Sequence, residues 1–253
     1  MEETSRSQYY DQFVRNLSEN ETVKNYLQSR GFNRSFIESD SFGFCSCYSK
    51  YIFPLLRGRV IVPIKDCNGN LIALAGRQIS SFEEITVKSF WDSYGKEPAK
   101  AQDRISKWRK GKWINEPYQK SKHLFNLDKA KQHIRENNLV FIVEGYFDAL
   151  ILSQQGIKNV VATCGTALSE HHLVLLYRYC DNIVLMLDGD EAGLLASEKM
   201  LEKIKEIGMT GYRLMLPDKY DPDTFILEFG TEVFGEIVST LKQKESKVLK
   251  IKL

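Results

Sequence analysis

Several common chemistries are unsignalled in this chain. It has five cysteines, Cys45, Cys47, Cys67, Cys164 and Cys180. They form no CxxC pair and their number is odd, which argues against a structural zinc site and against a disulfide framework. Free thiols in a reducing compartment are the simpler reading. No apolar run approaches the ~18–20 residues of a membrane span. The opening MEETSRSQYYDQFVRNLSEN lacks the apolar core of a secretory signal. No GxxxxGK[ST] stretch signals a P-loop, and no GxGxxG opens a helix for a dinucleotide. Histidines number four; His171 and His172 are adjacent and would point apart on a helix, a poor metal pair suited to the surface or to supporting another group. Cys164, in ATCGT, has no histidine placed to activate it and reads as a small, semi-buried side chain. The expectation is a globular cytoplasmic protein, long enough at 253 residues for a sizeable core and one to three domains.

What is present is a regular alternation in the second half. LVFIV (139–143), NVVAT (159–163), IVLML (183–187) and YRLMLP (212–217) read as short buried strands. Between them, FDALILSQQGI, SEHHLVLLYRYC and EAGLLASEKMLEKIKEIG carry helical spacing, with Ser169 as a helix cap and Gly156 and Gly208 as stops. Apolar strands alternating with helices predict an α/β fold with a parallel sheet flanked by helices. The first half differs. VKNYLQSRGF reads as a helix, and RGRVIVPIKDCNGNLIALAGRQI as a hairpin turning at Asn68-Gly69-Asn70, a mixed α+β region. Residues 80–108 show no clear period and are expected to be an insertion or a mobile loop. The tail after Asp223 reads as a short helical segment.

Net charge is only +2 but unevenly placed: between Lys100 and Arg135 stand eleven Lys/Arg against three acids. Trp108, Trp113, Tyr118 and Phe125 punctuate that stretch. It suits a phosphate backbone and stacked bases, or equally a solvated helix face.

Acids gather after the strands. The first strand runs into Glu144-Gly145-Tyr146-Phe147-Asp148, the third into Asp188-Gly189-Asp190, and Asp221-Pro222-Asp223 follows the fourth. In a parallel sheet these are carboxyl ends on one edge, where open sheets place their ligands. Carboxylates that converge there repel unless a hard divalent cation such as Mg²⁺ joins them. A DxD alone is also an ordinary helix start.

At these residues the chain resembles a known family. EGYFDAL, ATCGTALSEHH, LMLDGDEAG and LPDKYDPDTFILEFG resemble the TOPRIM domain of bacterial DnaG-type primases, and RGRVIVPIKDCNGNLIALAGRQI resembles the basic half of the primase core. GKWINEPYQKSKHLFNLDKA resembles the family's Pro-Lys-Tyr-x-Asn segment, with Trp113 in place of the tyrosine. The resemblance implies a basic nucleic-acid- and nucleotide-binding subdomain over 1–137, a TOPRIM catalytic domain over 138–217 and a C-terminal helical segment over 218–253. It implies Glu144, Asp188 and Asp190 as catalytic carboxylates, and Asp148, Asp221 and Asp223 as further ligands of a two-metal site holding Mg²⁺ or Mn²⁺. Arg57, Arg59, Arg77, Lys112, Asn115 and Lys120 would bind template and nucleotide. The implied activity is synthesis of short RNA primers from ribonucleoside triphosphates on single-stranded DNA, by a DNA-directed RNA polymerase of the primase type. The family's N-terminal zinc-binding and C-terminal helicase-binding domains have no counterpart in the sequence, so it resembles a minimal, phage- or mobile-element-like core. A replicative helicase or a separate initiation-site reader is then an expected partner; no membrane is. A TOPRIM nuclease and a non-catalytic single-strand-binding replication subunit remain alternatives.

Overall fold

The computed structural model describes residues 3–187, 191–217, 220–243 and 248–250. Asp188 and Asp190, expected at the catalytic edge, lie outside the described residues. The chain divides into two compact units, one of 1–64 with 71–118, the other of 65–70 with 119–253.

In the first unit, α1 (Glu3–Ser18), α2 (Glu21–Ser29) and α3 (Arg34–Ile37) precede β1 (Gly43–Cys45), β2 (Arg59–Lys65) and β3 (Leu71–Gln78). Two further helices, α4 (Glu83–Tyr94) and α5 (Pro98–Lys110), lead to β4 (Trp113–Asn115). The four strands form a sheet in the order β1-β2-β3-β4, in which β1 and β4 pair antiparallel with their neighbours. Side chains of Asn20 and Asn33 cap α2 and α3 by accepting from backbone N–H groups three residues on. The stretch 80–108 is helical, not an irregular insertion. Thr86, Ser89 and Phe90 on α4 and Ala101, Ile105 and Trp108 on α5 are buried. Those inward positions recur at helical spacing, but half of them are small or polar, so the period is faint in sequence. Trp108 is fully buried, and its indole N–H donates to the Arg57 carbonyl at 2.8 Å.

In the second unit, α6 (Leu127–Asn137) leads into β5 (Leu139–Val143), α7 (Tyr146–Gln154), β6 (Val160–Ala162) and α8 (Glu170–Tyr177). Then come β7 (Asn182–Leu185), α9 (Glu191–Glu206), β8 (Thr210–Met215), α10 (Pro222–Gln243) and β9 (Val248–Lys250). The sheet order is β6-β5-β7-β8-β9, and every pairing is parallel. The predicted α/β architecture is present, with β9 an addition within what was read as a helical tail. β5 is buried at all five positions, which explains its unbroken apolar run. Its neighbours share a core built from Val140, Ile142, Val161, Ile183 and Leu185, covered by Ala130 and Ile134 of α6 and Leu173 and Leu176 of α8. Residues 119–137 therefore belong to the same compact unit as the sheet.

The order matters for function. The chain runs from β5 outward to β6, then returns past β5 to β7. The direction of winding reverses between β5 and β7, and open parallel sheets bind ligands at the carboxyl end of such a switch. Glu144 is the first residue after β5.

Candidate metal and nucleotide site

Glu144 is exposed at the carboxyl edge of the sheet. It lines a cleft of about 350 Å³ with Ile142, Thr163, Gly165, Thr166, Leu187 and others. The backbone holds this edge tightly: Thr163 N–H donates to Val143 O at 3.1 Å, Cys164 N–H to Glu144 O at 2.9 Å, and Met186 N–H to Ile142 O at 2.9 Å. The chain is thus fixed at Met186, two residues before Asp188.

Asp148 sits in the first turn of α7, and its Oδ2 accepts from the Gly145 N–H at 2.9 Å. A Cβ on residue 145 would lie 2.6 Å from that oxygen, so a larger residue there would push the carboxylate off its own helix start. Asp148, Asp221 and Asp223 each offer one carboxylate oxygen, and all three oxygens lie within 4.8 Å of one another. Asp221 and Asp223 open α10, where Thr224 hydroxyl and backbone N–H groups both meet the Asp221 carboxylate. Burial pushes the Asp221 carboxyl up, but hydrogen bonds from the Asp223 carboxyl and from Thr224 outweigh it and hold it below the usual range. Three hard oxygen donors at this separation fit a divalent cation: Mg²⁺ at ~2.1 Å from each ligand spaces neighbouring donors by roughly 3–4 Å.

The expected basic residues divide between the units. In the second, the Lys120 ammonium donates to the Cys164 carbonyl at 3.0 Å, and Cys164 stands between Thr163 and Gly165, which line the cleft with Glu144, so the contact borders its rim. In the first, Lys112 is exposed, and the Oδ1 of Asn115 has no hydrogen-bond partner. Arg77 is mostly buried, donates to the Tyr26 hydroxyl at 3.1 Å and lies over the Trp113 ring at 5.6 Å. Arg57 is also mostly buried, with its guanidinium on Ser49 O, Ser89 O and Ser93 Oγ.

Arg59 differs from its expected role. It is 0% exposed, and its guanidinium points inward, not toward nucleic acid. It donates to Leu55 O at 3.0 Å, Gly76 O at 3.1 Å, Trp108 O at 2.6 Å and Lys112 O at 3.5 Å, and stacks on Trp108 at 5.0 Å. Burial, with Arg77 adding, pushes its pKa down to about 9.

Cys164 is buried, and burial raises its thiol well above the ordinary range, which keeps it neutral and inert. His172 is fully buried, not at the surface, while His171 is exposed.

A Toprim-like family model matches residues 141–226, the stretch from β5 to the start of α10. A DNA primase from Aquifex aeolicus (strain VF5) is 34% identical over 186 residues, 72% of this chain and 32% of that protein. The crystal structure of the zinc-binding and RNA polymerase domains of the Aquifex aeolicus primase superposes with a TM-score of 0.72 at 28% identity, over 91% of this chain and 59% of the other.

The chain shares the DnaG-type primase core.

A DnaG primase catalytic domain bound to single-stranded DNA is a further match, with a TM-score of 0.67 at 25% identity over 86% of this chain and 71% of that one. The primase-type core here spans about a third of the length of the curated Aquifex aeolicus relative. Among the described residues no helix is long and apolar enough to cross a membrane. Three features of the core escaped the sequence: the inward Arg59, the buried His172 and the Lys120–Cys164 contact. For His172 a signal existed, since Ser169-x-x-His172 has the spacing of a capping box.

Proposed function

We propose that this chain synthesises short RNA primers on single-stranded DNA by metal-dependent nucleotidyl transfer. The observation that carries the reading is the convergence of Asp148, Asp221 and Asp223 beside the carboxyl end of β5, one turn from Glu144, in a primase-type core. Glu144, Asp188 and Asp190 are the proposed catalytic carboxylates, with Asp148, Asp221 and Asp223 completing the ligand set for Mg²⁺ or Mn²⁺. A divalent ion held there supplies charge stabilisation to phosphate oxygens and lowers the pKa of a coordinated hydroxyl. The chain's own part is to hold acids on one rigid edge and to place Lys120 on the rim, where two of its three ammonium donors can take a nucleotide phosphate. Lys112 and Asn115 are the proposed template or nucleotide contacts of the first unit; Arg57 and Arg77 support that surface through their packing. On this reading 1–137 carries the basic binding residues, its stretch 119–137 being packed in the unit of the parallel sheet, 138–217 is the catalytic domain and 218–253 the helical segment that supplies Asp221 and Asp223.

The test supplies random single-stranded DNA, labelled ribonucleotides and Mg²⁺ and looks for new short oligonucleotides. Glu144→Gln is expected to reduce synthesis by at least a hundredfold while template binding persists, because the carboxylate acts at the transition state and not on the template. Synthesis by Glu144→Gln at the parental rate refutes the assignment, and shortened DNA with no new primer supports a nuclease instead.

A further inference from the structure

Lys120 lies in a short helical turn, Lys120–Lys122, that would be free to move if only its own backbone held it. Two side chains from the start of α8 pin it. Ser169 Oγ donates to Ser121 O at 2.6 Å, and the His172 Nε2 lies 2.8 Å from Lys120 O. The other ring nitrogen, Nδ1, faces the Ser169 N–H at 3.3 Å, and the His172 N–H in turn donates to Ser169 Oγ at 3.1 Å. The protonation state follows from the partners. A carbonyl oxygen can only accept, so Nε2 carries a hydrogen. A backbone N–H can only donate, so Nδ1 carries a lone pair. The imidazole is neutral, in its Nε2–H form, and it joins the cap of α8 to the backbone of the residue whose ammonium reaches the catalytic edge.

We propose that His172 and Ser169 are positioning residues: they hold the 120–122 turn so that the Lys120 ammonium stays on Cys164 O at the rim of the Glu144 cleft. The inference rests on the primer-synthesis reading for what Lys120 then does, a phosphate contact to the incoming nucleotide. It does not rest on that reading for the pinning itself. A mis-set ammonium weakens a nucleotide contact without touching the carboxylates, so the loss falls on nucleotide KM more than on the metal site. Glutamine at 172 can reproduce both bonds, with its amide NH₂ donating to Lys120 O and its carbonyl accepting from Ser169 N–H, as glutamine does at this position of a capping box. Leucine fills the volume and makes neither bond.

The experiment compares His172→Leu, His172→Gln, Ser169→Ala and Lys120→Ala, alone and with His172→Leu combined with Lys120→Ala. The expected result is that His172→Leu raises nucleotide KM roughly tenfold, a misplacement effect. Ser169→Ala should raise it less, and His172→Gln should recover activity to within about threefold of the parent. In the Lys120→Ala background His172→Leu should add no further loss, because the group it positions is gone. Independently of activity, amide hydrogen exchange over 119–123 should be faster in His172→Leu than in His172→Gln. The proposal is overturned if the two His172 variants behave alike, or if the His172→Leu and Lys120→Ala effects multiply. If the parent makes no primers, the primer-synthesis reading fails by itself. Exchange over 119–123 then decides the pinning: equal rates in the two His172 variants refute it, and unequal rates support it.

Discussion

Replacing Arg59 by methionine is the sharpest probe of the first unit, because the side chain that composition assigns to nucleic acid is spent on the protein interior. Methionine fills much of the same space but donates nothing. Leu55 O and Trp108 O then lose their donor, while Gly76 O, paired with Ile114 across the β3–β4 ladder, loses a second one. Lys112 O suffers least: its contact is long at 3.5 Å, and it also accepts from Gln78 N–H at 3.0 Å. Each buried carbonyl left without a partner costs about 1–3 kcal/mol. Removing a buried cation returns part of that, since the guanidinium is desolvated among carbonyls. The net expectation is a loss of about 2–5 kcal/mol. All three tryptophans, Trp91, Trp108 and Trp113, belong to the first unit, so indole fluorescence during urea unfolding reports that unit selectively. Arg59→Met should lower the urea midpoint by that energy divided by the m-value while the folded protein binds single-stranded DNA as the parent does. Stability within about 0.5 kcal/mol of the parent, the range of a neutral surface change, together with weakened DNA binding, would refute the inward assignment.

Other outcomes follow from the second unit. Millimolar Mg²⁺ should raise the melting temperature through binding to the folded state alone, a stabilisation of about 2.7 kcal/mol at a hundred times Kd. Asp148→Asn and Asp223→Asn, read by calorimetry with and without metal, should each reduce that gain. Stability should also fall on acidification. Burial first of all lowers the pKa of His172, against raising contributions from the carbonyls of Lys120 and His123, while the nearby His123 and His171 add to the lowering. The unfolded chain therefore binds the proton more readily, near its ordinary value of about 6.5, and stability declines as pH falls below that toward the folded value. Melts across this range should show a flatter slope for His172→Gln; an unchanged slope would mean the imidazole is not the group titrating. Binding to single-stranded DNA should weaken steeply with salt, with log K linear in log salt concentration, as fluorescence anisotropy would read; a flat salt response would contradict phosphate contacts.

The parts of the molecule that the sequence displays best are those where one physical rule acts alone. β5 is buried on both faces, so Leu139–Val143 is a plain apolar run, and the Asn68-Gly69-Asn70 turn announces its hairpin. Carboxylates after strands of a parallel sheet share an edge by geometry, which groups Glu144, Asp188 and Asp190 by strand ends, whereas the grouping of Asp148, Asp221 and Asp223 follows from the TOPRIM resemblance. The helical pair α4–α5 was illegible because Thr86, Ser89 and Ala101 sit on its buried face and dilute the apolar period. β1 and β4 have three residues each, too few to show alternation. Arg59 misled because an arginine's composition gives no hint that four carbonyls converge to receive it. For His172 the sequence leaves surface and supporting placements open, and the local rule that decides between them is helix capping three residues after Ser169.

On the proposed reading, acids from separate segments of the chain share divalent ions at one edge of the parallel sheet. Anomalous diffraction from crystals soaked in Mn²⁺ tests it most directly. A peak is expected within about 2.1–2.6 Å of carboxylate oxygens from Asp148 and from Asp221 or Asp223, with a second peak at Glu144. Saturating Mn²⁺ with no peak at any of these carboxylates would contradict it.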